Sequence, residues 1–281
     1  MWIIAGLFVT HWVVSCFFQS SFHHRYASHR MFTMSPRAEK VWHLLAYASQ
    51  GSSYLSPRAY AVLHREHHAY SDTEKDPHAP GFFPNVLAMM WETAKRYTAH
   101  LTRRSSPEGR FLGHCPDWPT LERLASTWTS RIIWAVVYGI PYVLFATAWW
   151  HYVLLPVQWL MGPVHGAIVN WCGHKYGYRN FGTSDRSRNS LIIDMVTLGE
   201  LYQNNHHKFP MSPSFACRWF ELDPTYLVIR VFAFLRIIEL NPHVQRMRAP
   251  ERADGRVVAE PVPEEDDSIE DTGAFPVVVG E

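Results

Sequence analysis

Cysteine is scarce in this chain: Cys16, Cys115, Cys172 and Cys217 are its only four, and no two form a CxxC pair. That scatter excludes a disulfide framework or a zinc ribbon and fits a reducing, cytoplasmic setting. No internal repeat and no low-complexity core is present. The basic residues are dispersed, and no recognition motif accompanies them, so nucleic acid is not an expected partner. A secretory signal is also missing, because the apolar N-terminus has neither a basic lead nor a small-x-small cleavage site.

What the chain has is apolar and aromatic surface. Hydrophobic residues make up 47% of its 281 positions and aromatics 15%, with 12 Trp and 16 Phe. Trp and Tyr collect where a bilayer meets water, since an amphipathic ring can sit there half wet. The formal charge of +1 conceals an asymmetry. Ten acids and two bases fall between Glu251 and Glu281, which leaves the body of the chain clearly basic. A basic body suits anionic headgroups or an acidic electron donor. Residues 249–281, rich in Pro, Asp and Glu, read as an acidic disordered tail.

The expected fold is all-α: an integral-membrane helical domain over residues 1–248 with a cytoplasmic helical cap. Residues 1–18 are apolar but for His11 and reach roughly 27 Å as a helix, close to a hydrocarbon core of about 30 Å. Arg25, Arg30, Arg37 and Lys40 follow, placing the C-terminal end of this span in the cytoplasm. With no outer flank, the helix either sits shallowly or follows another. Two further spans are expected at 132–149 and 153–171, turning at Trp149-Trp150-His151-Tyr152. Residues 41–63, broken by Gln50-Gly-Ser-Ser-Tyr54 and Ser56-Pro57, read as an interfacial or re-entrant segment. That topology puts 19–130 and 172–248 on one side. A helix over 222–240, carrying Arg230 and Arg236, is expected to lie on the membrane.

Histidine supplies the chemistry. His24 and His29 bound one group, His64, His67 and His68 a second, and Gln203, His206 and His207 a third, with Asn170 and His174 upstream. Neutral imidazole is the commonest protein ligand for first-row transition metals. His64, His67 and His68 share one helical face at i, i+3 and i+4. Gln203, His206 and His207 repeat that geometry, whereas His24 and His29 fall about 140° apart on an α-helix. Two ions, or unwinding between the pair, would accommodate this. Lone histidines (His11, His43, His100, His114, His151, His243) read as ordinary residues, and His23 as spare. His165 reads as a supporting residue and His78 as a loop-fixing one. HREHH lacks the HExxH register of zincins. The H-x-E at His64 lacks the deaminase partner P-C-x-x-C. Haem would leave most of the histidines unexplained, and a zinc transporter would need ligands in mid-span.

HRYASH, HREHH followed by Asp76-Pro-His78, Asn170-Trp-Cys-Gly-His174 leading into Lys175-Tyr-Gly-Tyr-Arg179, and Gly199-Glu200 before QNNHH together resemble the integral-membrane fatty acid desaturase family, in its acyl-CoA (stearoyl-CoA-type) branch, over about residues 1–240. The resemblance implies an oxygen-dependent oxidoreductase that introduces a cis double bond, Δ9-type, into a saturated acyl chain held in a bent tunnel. It implies two irons as cofactor and O2 as co-substrate. The metal ligands it implies are His24, His29, His64, His67, His68, His174, His206 and His207, with Asn170 acting through water. Glu66, Asp76 and Glu200 are the implied acceptors that orient imidazoles. Two departures stand out. Gln203 replaces a histidine of the animal enzymes, making it a weak amide ligand or an open position. Tyr60-Ala61-Val62-Leu63 replaces a Trp-Ala-Arg-Asp stretch of their CoA surface, so CoA, acyl carrier protein and phospholipid all remain as carriers. No cytochrome b5 domain is fused, which implies an external donor, ferredoxin or cytochrome b5 with its reductase. The competing readings are a lipid hydroxylase on the same scaffold and a non-enzymatic membrane metal-binding protein.

Overall fold

Apolar length sets the frame of the molecule, which is a computed structural model describing residues 2–242 and residue 247. Helix α1 (Trp2–Phe18) runs without a break into a π-wound segment, Gln19–Ser28, and the two form a 27-residue rod apolar enough to cross a bilayer. Helix α7 (Trp128–Phe145) is the second such helix; Ile132, Ile133, Val136 and Val143 along it are left exposed, as lipid contact requires. The chain is an integral-membrane helical protein. The acidic tail and His243 lie outside the described residues.

The third expected span is not straight. After a short turn of helix at Trp149–Val153, α8 (Leu154–Trp159) and α9 (Met161–Gly173) meet at 76°. Pro163 explains the break: it has no N–H to bond the Trp159 carbonyl, and its ring bars a continuous helix there.

Between the spans, α2 (Pro36–Gln50) is capped by Ser35 and ends at Gly51, whose φ of +49° few other residues adopt. Helix α3 (Pro57–Tyr70) starts on the Ser56 cap with proline in its first turn, and α4 (Val86–Leu101) on Asn85. Short helices α5 (Gly109–Leu112) and α6 (Pro119–Ala125) follow. After α9 come α10 (Gln203–Lys208) and α11 (Pro224–Phe234).

The expected helix over 222–240 stops at Phe234. Arg236 takes a φ of +58°, and the chain then forms β2 (Ile238–Leu240), antiparallel to β1 (Phe32–Met34), with Phe32 opposite Leu240. This two-stranded ribbon is a small exception to the all-α expectation, since three-residue strands carry too little alternation to read. It closes a core in which Phe22, Phe32, Trp42, Tyr202 and Phe215 are buried together, locking the π segment against α2 and α11.

Candidate metal centre

The π winding settles how two histidines five residues apart reach one point. Here the His29 N–H bonds the His24 carbonyl at 3.2 Å, an i→i+5 link, so the pair is brought round to one side with ring centroids 5.1 Å apart. The wide coil is held from outside. The Arg25 guanidinium, fully buried, forms two hydrogen bonds to Asp223 at 2.9 and 3.1 Å and lies over the Phe215 ring. Burial tends to raise the Asp223 carboxyl, and Arg25 opposes that.

Helices α3 and α10 complete the centre, and each divides its histidines between two positions. Nitrogens of His24, His29, His64, His68 and His206 all lie within 4.8 Å of one another, and those of His67, His174 and His207 form a second such group. Within the first, Nε2 of His29 and His64 stand 2.8 Å apart. Nε2 of His206 is 2.9 Å from both His24 and His68. The i, i+4 pair of α3 thus serves one position and His67 the other, so both helices straddle the centre.

Carboxylates fix the rings. His24 donates Nδ1–H to Glu200, which also accepts from Ser20. His67 donates to Asp76 at 2.9 Å, His174 to Asp72 at 2.9 Å and His207 to Asp185 at 2.7 Å. A ring whose Nδ1 carries the proton presents a bare lone pair at Nε2. Nε2 of His67 and His207 are nevertheless only 3.3 Å apart, and Nε2 of His174 is buried with no hydrogen-bond partner. Lone pairs aimed at one another repel unless a shared proton or a metal ion stands between them. A nitrogen-only donor set of this kind suits a first-row transition metal.

The charges agree with this arrangement. Burial holds His29, His64, His68 and His206 well below the ordinary imidazole range, reinforced by their mutual proximity. Burial also takes His207 down to about 4, against the pull of Asp185. For His67 burial is outweighed by Asp76, with Asp72 and Asp185 behind it, and its affinity for a proton rises. Glu200, despite burial, is brought down to about 2 by His24 and Arg25, and Asp76 and Asp185 are low for the same kind of reason. His29, His64, His68, His206 and His207 therefore rest as neutral imidazoles, with Asp76, Asp185 and Glu200 ionised beside the centre.

Glu66 is not one of those backing groups. It lies two residues from His64, about 200° round the helix, and pairs with His100 at 3.0 Å instead. Asp72 and Asp185 take the role, and sequence reasoning missed both, because each meets its histidine across a hundred or twenty-two residues with no local spacing to mark it. His78 is closer in than a loop residue would be: its ring lies 4.4 Å from that of His67, buried, with neither nitrogen partnered. His23 is spare, its ring bonded to the carbonyls of Phe18 and Leu55. Among the described residues His11, His43, His100, His114 and His151 join no cluster.

A cavity of about 330 Å³ opens under the centre. His24, His64, His78, Asn170, Gln203 and Glu200 give it polar lining, while Leu55, Leu63, Met90 and Val169 give it apolar walls. His165, Gly162 and Gly166 on α9 line it too.

The sequence profile of the fatty acid desaturase family matches residues 1–234. The chain belongs to that family. As a fatty acid desaturase it is an oxidoreductase of lipid metabolism that introduces double bonds into acyl chains. The desaturase is 28% identical to a Delta-9 desaturase-like 4 protein of Arabidopsis thaliana, over 80% of this chain and 73% of that one. It is 27% identical to the Delta-9 acyl-lipid desaturase 2 of the same plant, over 80% and 71%. An acyl-CoA C20 Delta5-desaturase of Anemone leveillei is 27% identical over 75% and 65%.

The two asparagines of the desaturase's QNNHH act as anchors. Asn204 accepts from the N–H groups of Asn180 and Phe181, both at 2.8 Å, and Asn205 donates to Glu221 at 2.8 Å and to the Phe215 carbonyl. Buried Glu221 also accepts from Tyr178, Asn180 and the N–H groups of Cys217 and Arg218. Gly177, at φ +119°, lets this loop pass against the Asn189 carbonyl, where a Cβ would collide. The six-residue α10, too short to stand alone, is aimed by that network.

Proposed function

We propose that the desaturase forms a cis double bond of the Δ9 type in a saturated fatty acyl chain, using two irons and O2. His24, His29, His64, His68 and His206 would hold one ion, and His67, His174 and His207 the other. The observation that carries this reading is the convergence of eight imidazoles, from four separate stretches, on two neighbouring positions, with His24 and His64 among them lining an apolar-walled cavity. The balance is that two hydrogens leave adjacent methylenes and, with two electrons and two protons from a donor, reduce O2 to two waters. When bound, the metal pair supplies the oxidant that an unactivated C–H bond requires.

The chain's own residues do the rest. Leu55, Leu63, Met90 and Val169 exclude water and fix the chain against the centre, so that one carbon pair is presented. Asp72, Asp76, Asp185 and Glu200 keep each Nδ1 protonated and each Nε2 free to ligate. To hold an ion, His67 and His207 would have to present bare Nε2 atoms, so binding would release any proton carried there. The electrons come from an external donor of the ferredoxin or cytochrome b5 type, and the basic, cytoplasmic side of the membrane is where such a donor would dock. The acyl chain arrives as a CoA thioester, a carrier-protein thioester or a phospholipid ester.

The test is expression in a host that makes only saturated chains, with fatty acid profiling of free, thioester and lipid pools. A new cis-monoene is expected, and the pool in which it first appears identifies the carrier. A hydroxylated lipid without new unsaturation would overturn the reading in favour of a hydroxylase. Iron binding without oxygen consumption, given reductant and substrate, would point to metal storage.

A further inference from the structure

Two buried side chains in the wall of the cavity keep polar atoms unbonded. Gln19 and His165 both line it, and both are almost fully buried. Gln19 Nε2 donates to the Gly162 carbonyl at 3.3 Å, which fixes the amide and leaves Oε1 with no donor. Neither ring nitrogen of His165 makes a hydrogen bond, although the Thr197 backbone draws on the ring. The rest of the polar lining is largely committed. Ser53, Thr93, Thr98 and Arg131 spend donors on backbone carbonyls. Gln203 gives its Nε2 to the Glu200 carbonyl at 2.6 Å, and the Glu200 carboxylate accepts from Ser20 and His24. His78, whose ring nitrogens are also free, lies against His67 at the centre itself.

Helix α9 brings the pair together. Gly162 and Gly166, four residues apart, share a face, and their lack of side chains lets the Gln19 amide lie against the helix. A Cβ at Gly162 would stand 3.5 Å from Oε1, and one at Gly166 3.9 Å from Nε2. His165 comes three residues after Gly162, about 60° round the helix. Gln19 precedes His24 by one turn of the π coil, and His165 precedes Asn170 by five residues, about 7.5 Å along α9. The pair therefore lies one turn back along both helices, toward the middle of the membrane.

The donors and acceptors select what can pass there. A plain hydrocarbon laid across these atoms leaves them dehydrated and unbonded, the costly case for a buried polar group. A carbonyl or ether oxygen, an acceptor only, sets lone pairs against Gln19 Oε1. A hydroxyl suits both: its O–H donates to Oε1, and its oxygen accepts from His165, whose neutral ring always carries one N–H.

We infer that Gln19 and His165 form a hydroxyl-reading subsite, and that the cavity takes acyl chains bearing a hydroxyl at one set position in preference to unsubstituted ones. The inference rests on the reading of the cavity as the acyl site. Such selectivity is steep, because an analogue without the hydroxyl leaves both partners unpaired.

The test is displacement of cis-parinaric acid, followed by its fluorescence, from the full-length protein as purified, without reductant so that no turnover intervenes. The competitors are octadecanoic acid and a series of hydroxyoctadecanoic acids with the hydroxyl moved carbon by carbon. One positional isomer is expected to bind at least about tenfold more tightly than octadecanoic acid, with its neighbours falling away on either side. Gln19→Leu and His165→Leu should each remove that preference. A preference that persists in both variants overturns the inference. So does a wild-type protein that favours no isomer, in which case the pair holds water only. Should either variant fail to fold, the wild-type scan decides alone. A protein from which no fatty acid displaces the probe fails the reading of the cavity instead.

Discussion

Replacing Asp185 by Asn should weaken metal binding at one position and leave the other intact. The substitution keeps the shape of the side chain and an oxygen that can accept from His207 Nδ1, now 2.7 Å away, but removes the charge. Asp185 also accepts from Thr183 at 2.6 Å and from the Ser187 N–H at 3.0 Å, so its carboxylate is held still and the loss is not blurred by motion. Removing such a backing group from a ligating imidazole costs 10–100-fold in metal affinity, or about 1.4–2.8 kcal/mol. The assay is chelator competition with metal counted per protein. Wild-type protein should hold two ions at a chelator concentration where Asp185→Asn holds one. Glu66→Gln, whose parent carboxylate pairs with His100 outside the centre, should behave as the wild type. If Asp185→Asn retains both ions with wild-type affinity while Glu66→Gln loses one, the assignment of backing groups is wrong.

Other expectations follow from the same geometry. His67→Ala should lose an ion and desaturation together, measured by metal analysis and product profile, whereas His243→Ala should change neither. The metal-free protein should be acid-sensitive. His29, His64, His68 and His206 are held well below the ordinary range and His207 at about 4, so the unfolded chain binds protons that the folded one refuses. Stability is then lost as pH falls below about 6.5, by up to about 1.4 kcal/mol per pH unit for each such ring. Thermal melts from pH 8 to 5 would show it, and bound metal should flatten the curve. Glu221→Gln sets amide hydrogens either against the Tyr178 and Asn180 donors at one oxygen or against the Asn205, Cys217 and Arg218 donors at the other, and should cost about 1–3 kcal/mol for each group left unpaired, read as a lower melting temperature. Gly166→Leu enters the cavity, where the nearest atom to an added Cβ is Gln19 Nε2 at 3.9 Å. Each methylene displaced should lower turnover of that chain length about 10–200-fold, seen as a product profile shifted to shorter chains.

Much of the centre could be read from local spacing. His64, His67 and His68 lie on one helical face because three- and four-residue steps do so in any α-helix, and the break at Gln50-Gly51 is written in its glycine and serines. The proline that bends α8 against α9 was visible at Pro163, yet uniform apolarity across 153–171 hid its effect behind a hydropathy signal. What the sequence could not disclose is pairing at a distance. Asp72 with His174, Asp185 with His207 and Arg25 with Asp223 depend on loops whose course is set by the whole fold. Glu66 misled for a different reason: it sits inside the histidine motif, yet a two-residue step turns it about 200° from His64, toward His100.

The rod that begins at Trp2 ends in a coil that cannot hold itself. Its terminal turns rest on Glu200 and Asp223, nearly two hundred positions downstream. During translation this span is therefore complete well before the partners that brace its end have been made. Truncated chains that stop before Asp223 should insert normally and still never assemble the first histidine pair, so metal capture belongs to the last act of biogenesis.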